Sequence, residues 1–315
     1  MNKVKAIGAG FDLTQSSCSL LKPKIFEWSS DEGDFTVWID HHIPVSLSVD
    51  KEGIEVAWLC ESRAIVPSVY ESLMNKEVCD RFDLIFISDR EYIKRANKFH
   101  STNKYKYCPA GSNLPWISED KWGVHPKSKN VSMVASAKKT TEGHKARHEI
   151  AKLYKDKVDI YGTVLGDSFM DSGDLSTIWH DKSKALVDYR FSIVIENDSY
   201  SDYYTEKITD CFATGVIPVY WGSPEIGDQF NSGGIITVNS GFMIDDMNEM
   251  LYNHSIDAVE DNYERIKKLE SADDRLYRLV DSFLINTTPS IHSREWGLLV
   301  APWTGIRPAP GEILN

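Results

Sequence analysis

Short apolar runs rich in β-branched residues recur along the chain, and the longer stretches between them repeat their apolar positions every three to four residues. The runs at 4–7, 35–39, 54–59, 84–87 and 105–108 predict strands, and the stretches at 66–74 and 91–98 predict helices. The runs are nearly continuous rather than alternating, as in strands covered on both faces, so the first half reads as βαβ units on a parallel sheet. A polar passage at 118–130, with Pro126 and several lysines, reads as a linker. Beyond it the pattern resumes with a strand at 131–135, a helix at 143–155 and a strand at 158–161. After a further strand at 233–238 the chain turns helical. Over 256–284, Val259, Tyr263, Ile266 and Leu269 keep helical spacing beneath a charged, solvated face. The tail from Pro289 is proline-rich and carries Trp296 and Trp303.

The most informative stretch is YRFSIVIENDSYSDYYTEKITDCFATGVIPVYWG, from Tyr189 to Gly222. Its run at 191–195 predicts a buried strand, followed at once by polar Glu196, Asn197 and Asp198 at the carboxyl end, where open α/β sheets place ligands. Thr205 is placed to cap a helix that buries Ile208, Cys211 and Phe212, and Gly215 to stop it before a strand at 216–220. Lys207 then falls in the first helical turn, where the macrodipole is already positive. That placement costs roughly 0.3–1 kcal/mol unless an anion sits there, and a phosphate would also use the free amides. A solvated helix start is the alternative reading of Glu206 and Lys207.

Composition narrows the field. A chain of 315 residues accommodates about two domains, and 42% hydrophobic with 26% charged residues is ordinary for a globular protein. The formal net charge of −12 argues against a nucleic-acid partner. Between Lys121 and Lys157, however, ten Lys/Arg face three acids, which suits a small phosphorylated ligand. Five widely spaced cysteines read as reduced thiols. No run of about 18 apolar residues predicts a membrane span, and the opening MNKVKAIGAGF does not read as a signal peptide, so the expectation is a cytoplasmic protein. Gly8-Ala9-Gly10 opens like a dinucleotide fingerprint, but Leu13 stands at the third glycine. His144 and His148 have metal-ligand spacing without the glutamate that zincins require, and Asp40-His41-His42 reads as a polar turn.

The order FSIVIEN, DYYTEK, helix, IPVYWGSPEI resembles the donor-binding signature of the α-1,3/1,4-fucosyltransferases, glycosyltransferase family 10. The resemblance covers roughly the C-terminal half. It implies an α/β fold of two Rossmann-like domains facing a central cleft (GT-B), with residues 1–128 on the acceptor side and 129–288 binding the donor. Residues 289–315 would then form a tail packing back on the first domain. It further implies transfer of fucose from GDP-fucose to a hydroxyl of a glycan acceptor, with inversion, without a cofactor and without a required metal. Residue by residue, Asn197, Tyr203, Glu206 and Lys207 match donor-binding positions. Arg147 matches the phosphate-binding arginine by its spacing of fourteen residues from Gly162. Glu61, in Cys60-Glu61-Ser62 after the run IEVAWL, matches the catalytic base, although Arg63 replaces the usual proline. Independently of the resemblance, no Asp-x-Asp pair occurs in the chain, which favours fixed cations over a divalent ion at the leaving diphosphate. Two other readings stay open: a transferase of the same fold using another nucleotide sugar, and a non-catalytic sugar-nucleotide or glycan binder.

Overall fold

The computed structural model describes residues 1–8, 21–165, 182–238 and 244–287. Ala9, Gly10, Leu13, Cys18, Trp296 and Trp303, and with them the fingerprint-like turn beyond Gly8 and the tail from Pro289, lie outside the described residues.

Two parallel sheets organise the fold. The first is built from β1 (Asn2–Ile7), β2 (Phe26–Ser29), β3 (Thr36–Ile39), β4 (Glu55–Trp58), β5 (Leu84–Ile87) and β6 (Tyr105–Tyr107), in the order β2-β1-β3-β4-β5-β6. Every pairing is parallel. Helices α1 (Pro67–Ser72), α2 (Lys76–Arg81) and α3 (Arg90–His100) complete this half. They cover one face through Val69, Tyr70, Val78, Tyr92 and Ala96, against Trp38, Ala57, Leu59, Ile85 and Ile87. The valines, leucine and isoleucines among them each contribute about 1.5–3 kcal/mol by leaving water. Four-residue runs such as LIFI in β5 are buried throughout, which explains their lack of alternation. Glu55 is tolerated inside β4 because Arg81 pairs with it at 2.8 Å and the Trp38 indole donates to it at 3.0 Å.

The second sheet repeats the topology. β7 (Lys129–Ala135), β8 (Asp159–Gly162), β9 (Tyr189–Ile195), β10 (Ile217–Trp221) and β11 (Ile236–Thr237) run in the order β11-β10-β9-β7-β8, all parallel. In both sheets the order reverses between the first and third strands in sequence, which makes the carboxyl ends of those strands the topological switch point. α4 (Glu142–Tyr154) follows β7, and α5 (Glu206–Ala213) connects β9 to β10. Gly215, at φ +68°, ends α5 as expected.

Four features depart from the expectations. The strand expected at 233–238 shortens to the two residues of β11, because Ser232–Gly234 form a 3-10 turn. β2 and α2 were not predicted: four residues of an edge strand and six of a short helix are too few to show a period. The helical stretch 256–284 is two helices, α7 (Ile256–Ile266) and α8 (Ala272–Thr287), after a short α6 (Glu249–His254). The first two turns of α8 lie against β2, where Asp273 accepts from the Trp28 indole at 2.9 Å and Tyr277 stacks on Phe26 at 5.1 Å. The passage 118–130 is docked, not free: Lys127 buries its ammonium between the carbonyls of Val187 (2.8 Å) and Thr214 (2.6 Å). Burial pulls its pKa down to about 7.

Candidate active site

The strand that ends in Ile195 hands the chain to Glu196, whose N–H still donates to the Trp221 carbonyl at 2.8 Å. The Glu196 side chain is wholly buried and turns onto the start of α5. It accepts from the Thr205 N–H (2.8 Å) and hydroxyl (2.8 Å), and it lies 3.3 Å from the Lys207 ammonium. Thr205 is the cap the sequence predicts, accepting from the Lys207 N–H. The counter-charge that the macrodipole argument assigned to a ligand is therefore also supplied from within, by Glu196 and by Glu206 at 3.5 Å. Lys207 keeps about a quarter of its side chain exposed, at 24%.

Glu206 sits on the same first turn and is buried. Its partner is Lys182, which lies 3.1 Å from Glu206 and 2.9 Å from Asp210, one turn further along α5. Burial opposes charge on all three groups. The Lys182 and Lys207 ammoniums overcome it at Glu206 and hold that carboxyl well below the usual range, while Asp210 is pushed up to about 6. Lys182 itself is raised despite burial, by Asp210 and Glu206. Its ammonium also stands over the Trp116 ring at 5.2 Å.

Arg147 reaches the same place from α4. Its Nε donates to the Ile195 carbonyl at 2.8 Å, and one terminal nitrogen donates to Asn197 Oδ1, also at 2.8 Å. The fork thereby ties α4 to the end of β9, and burial lowers the guanidinium pKa. The helix can come this close because residue 143 is glycine: a Cβ there would stand 1.8 Å from the Glu196 carbonyl oxygen. Arg147, Lys182, Glu206, Lys207 and Asp210 line one cavity, walled by Ser136 and the β9 backbone.

Asn197 is thus half-buried and held by Arg147. Tyr203 is almost fully enclosed at 1% exposure and stacks on Tyr200 with ring centres 4.8 Å apart. The Arg63 guanidinium stands over the Tyr200 ring at 5.6 Å. The Tyr200 hydroxyl lies 3.2 Å from Ser88, and Arg90 pairs with Asp202. The loop between β9 and α5 is therefore seated on strand-end loops of the first sheet.

Those loops carry Glu61. Its carboxyl is half-buried and its pKa is raised, first by burial and then by Glu206 and Glu196, with Lys207 and Lys138 opposing. The candidate base thus stands in the electrostatic field of Lys207, the one cation of α5. Arg63, its near neighbour in the chain, pairs not with Glu61 but with buried Asp89 at 2.7 Å. The histidines on α4 have structural roles. His144 Nδ1 accepts from the Thr141 N–H to close a capping box, and His148 Nε2 lies 3.2 Å from the Lys138 carbonyl. Among the described residues, no group of three or more His, Cys, Asp or Glu is placed to hold a metal ion, and no helix is long and apolar enough to cross a membrane.

Sequence reasoning placed Glu196 at the ligand end of its strand without giving it a role, and it missed Lys182 and Asp210 as parts of the site. Glu196 was open to detection as a carboxylate nine residues before a capping threonine. Lys182 has no local signal, because its partners lie on a helix more than twenty residues away.

Comparison with known proteins follows this geometry. Residues 124–266 match the sequence pattern of the glycosyltransferase family 10 (fucosyltransferase) C-terminal domain. The chain is 38% identical over 58 residues to alpha-(1,3)-fucosyltransferase FucT of Helicobacter pylori, covering 18% of the chain and 12% of that protein. It is 29% identical over 178 residues to alpha-(1,3)-fucosyltransferase B of Drosophila melanogaster, covering 49% of the chain and 39% of that protein. The matched segments therefore span well under half of these relatives. In fold, the chain is similar to an alpha1,3-fucosyltransferase crystallised with GDP, at a TM-score of 0.51 and 16% identity over 91% of both chains. It is also similar to TarM, at a TM-score of 0.51 and 12% identity over 79% of this chain and 54% of that one.

Proposed function

We propose, from the match of residues 124–266 to the glycosyltransferase family 10 (fucosyltransferase) C-terminal domain, that the chain belongs to that family and transfers fucose from GDP-fucose to a hydroxyl of a glycan acceptor, with inversion and without a metal ion. The observation that carries this reading is that Arg147 and Lys207, from two different helices, line one cavity at the switch point of the second sheet. Glu61, from the first half, lies within the field of the same lysine. The H. pylori and D. melanogaster relatives are named as fucosyltransferases, and the solved structure of the same fold was crystallised with GDP.

The chemistry follows from the residues. An acceptor hydroxyl attacking the anomeric carbon must lose a proton, and a carboxylate within hydrogen-bond reach contributes typically 10²–10⁴-fold by accepting it. Burial makes Glu61 a stronger base than a solvated glutamate. As the bond to GDP breaks, charge grows on the diphosphate. Lys207 and the helix start that carries it, with the guanidinium of Arg147, would stabilise that charge in place, with no reorganisation. The cavity holds carboxylates as well as cations. That mixture suits a ligand with both phosphates and hydroxyls, because Glu206 and Asn197 can accept from sugar hydroxyls while the cations face phosphate. Tyr203 would act as the wall that aligns Asn197 and Glu206, enclosed as it is between the two halves. Residues 1–128 would carry the acceptor side and 129–288 the donor side.

The test is GDP or UDP release from a panel of nucleotide sugars, with and without acceptor and with and without EDTA. Acceptor-dependent release from GDP-fucose that survives EDTA is expected. Release from UDP-sugars alone, loss with EDTA, or donor binding with no acceptor-dependent turnover would each overturn a stated part of the reading.

A further inference from the structure

The turn at Asp40 stands next to the candidate base. β3 and β4 are parallel neighbours with Ile39 opposite Trp58, so the residues that leave the two strands, Asp40 and Cys60-Glu61, come side by side. Beyond Trp58 the ladder changes partners and then ends: the Leu59 N–H still donates to the Phe86 carbonyl at 2.9 Å, on β5. The next two amides have no strand to meet. Both turn to one oxygen, Oδ1 of Asp40, which accepts from Cys60 N–H at 3.0 Å and from Glu61 N–H at 3.3 Å. On the other side, the Tyr70 hydroxyl donates to the Glu61 carbonyl at 3.2 Å. The backbone of Glu61 is therefore gripped at its N–H and at its carbonyl. Asp40 itself sits at φ +45°, in the left-handed region that side chains other than Asn and Asp seldom occupy. That conformation turns the chain out of β3 and lets a side chain this short span to β4.

We propose that Asp40 is a positioning residue for Glu61: its carboxylate fixes the two amides at and before the base and so sets where the Glu61 carboxylate meets the acceptor. The proposal rests on Glu61 being the base. A misplacement of about 1 Å in such a group costs on the order of 10²-fold in rate while leaving donor binding alone.

The experiment compares Asp40→Ala, Asp40→Gly, Asp40→Asn and Glu61→Gln for kcat, for GDP affinity by calorimetry, and for hydrogen exchange at the Cys60 and Glu61 amides. Alanine and glycine should lower kcat by roughly 10–100-fold with GDP affinity within about twofold, and should speed exchange at both amides. Glycine tolerates the left-handed turn, so its defect isolates the lost acceptor. Asparagine keeps an oxygen for the two amides and should restore most of kcat and of the protection. Protection unchanged in Asp40→Ala overturns the inference whatever the activity. So does a kcat unchanged in Asp40→Ala, a GDP affinity that falls in step with kcat, or an asparagine variant as slow as alanine. Wild-type turnover in Glu61→Gln would overturn the reading of the base and this inference with it.

Discussion

Lys207 illustrates how one residue is read twice. In sequence it is a cation against a helix dipole that asks for an anion; in the structure it lies between Glu196 and Glu206, with the Thr205 hydroxyl 2.8 Å away. A phosphate arriving there competes with carboxylates already in place, so the proposed affinity rests on Lys207 and Arg147 together and not on one charge. Glu61→Gln should lower kcat by about 10²–10⁴-fold and barely change GDP affinity, because the amide cannot take the acceptor proton. Steady-state kinetics beside calorimetry would show it, and a parallel loss of affinity would count against a base. Lys182 is different in kind. Replacing it with methionine would leave Glu206 and Asp210 buried one turn apart without their shared cation, and should destabilise the fold by about 3–5 kcal/mol. Thermal unfolding would measure this, and an unchanged midpoint would mean that the carboxylates find another partner. Glu61, Arg147, Asn197, Tyr203, Glu206 and Lys207 could be nominated as candidates from the sequence because family motifs and local helix logic pointed at each. Lys182 and Asp40 were not: each acts through an atom that only the topology brings near.

At the scale of elements, the closeness of α4 to the end of β9 decides where Arg147 can reach. Gly143→Ala places a methyl 1.8 Å from the Glu196 carbonyl oxygen, which is backbone and cannot step aside. The helix must move, the Arg147 bonds to Ile195 and Asn197 should weaken, and both stability and GDP affinity are expected to fall; calorimetry of GDP binding that matched wild type would contradict this. The cap of the same helix adds a pH dependence. His144 is held neutral, its pKa lowered to about 4 by burial first and then by Arg147 and neighbouring cations, against about 6.5 for an exposed histidine. A group depressed on folding stabilises the native state above its unfolded pKa. Between pH 6.5 and 4 the unfolded chain takes up the proton that the folded chain refuses, so this contribution is present near pH 7 and is lost as pH falls through that window. His144→Gln keeps an acceptor for the Thr141 N–H and should remove that part of the acid sensitivity. A melting-temperature profile from pH 7 to 4 that is the same in both proteins would refute it. Strands such as β5 and β9 were readable because parallel strands buried on both faces are apolar throughout. β2 escaped because an edge strand of four residues alternates too briefly to be distinguished from a loop.

For the molecule as a whole, two sheets of the same strand order bring three kinds of group to one place: cations from α4 and α5, carboxylates from α5 and the end of β9, and a candidate base from the end of β4. The loop carrying Tyr200 and Tyr203 joins them, since the Tyr200 hydroxyl lies 3.2 Å from Ser88 and its ring lies beneath the Arg63 guanidinium, both of the first half. Neither the seat of this loop nor the docking of 118–130 was visible in the sequence, where both look like ordinary polar connections; their burial comes from partners far along the chain. The central claim is that a diphosphate is bound by Lys207 and Arg147 together. Calorimetric titration of GDP in the presence of EDTA, into wild type, Lys207→Met and Arg147→Met, tests it most directly. Charge-assisted hydrogen bonds of about 1.5–3 kcal/mol each predict a Kd raised by roughly 10–100-fold in either variant. A Kd unchanged from wild type in both would contradict it.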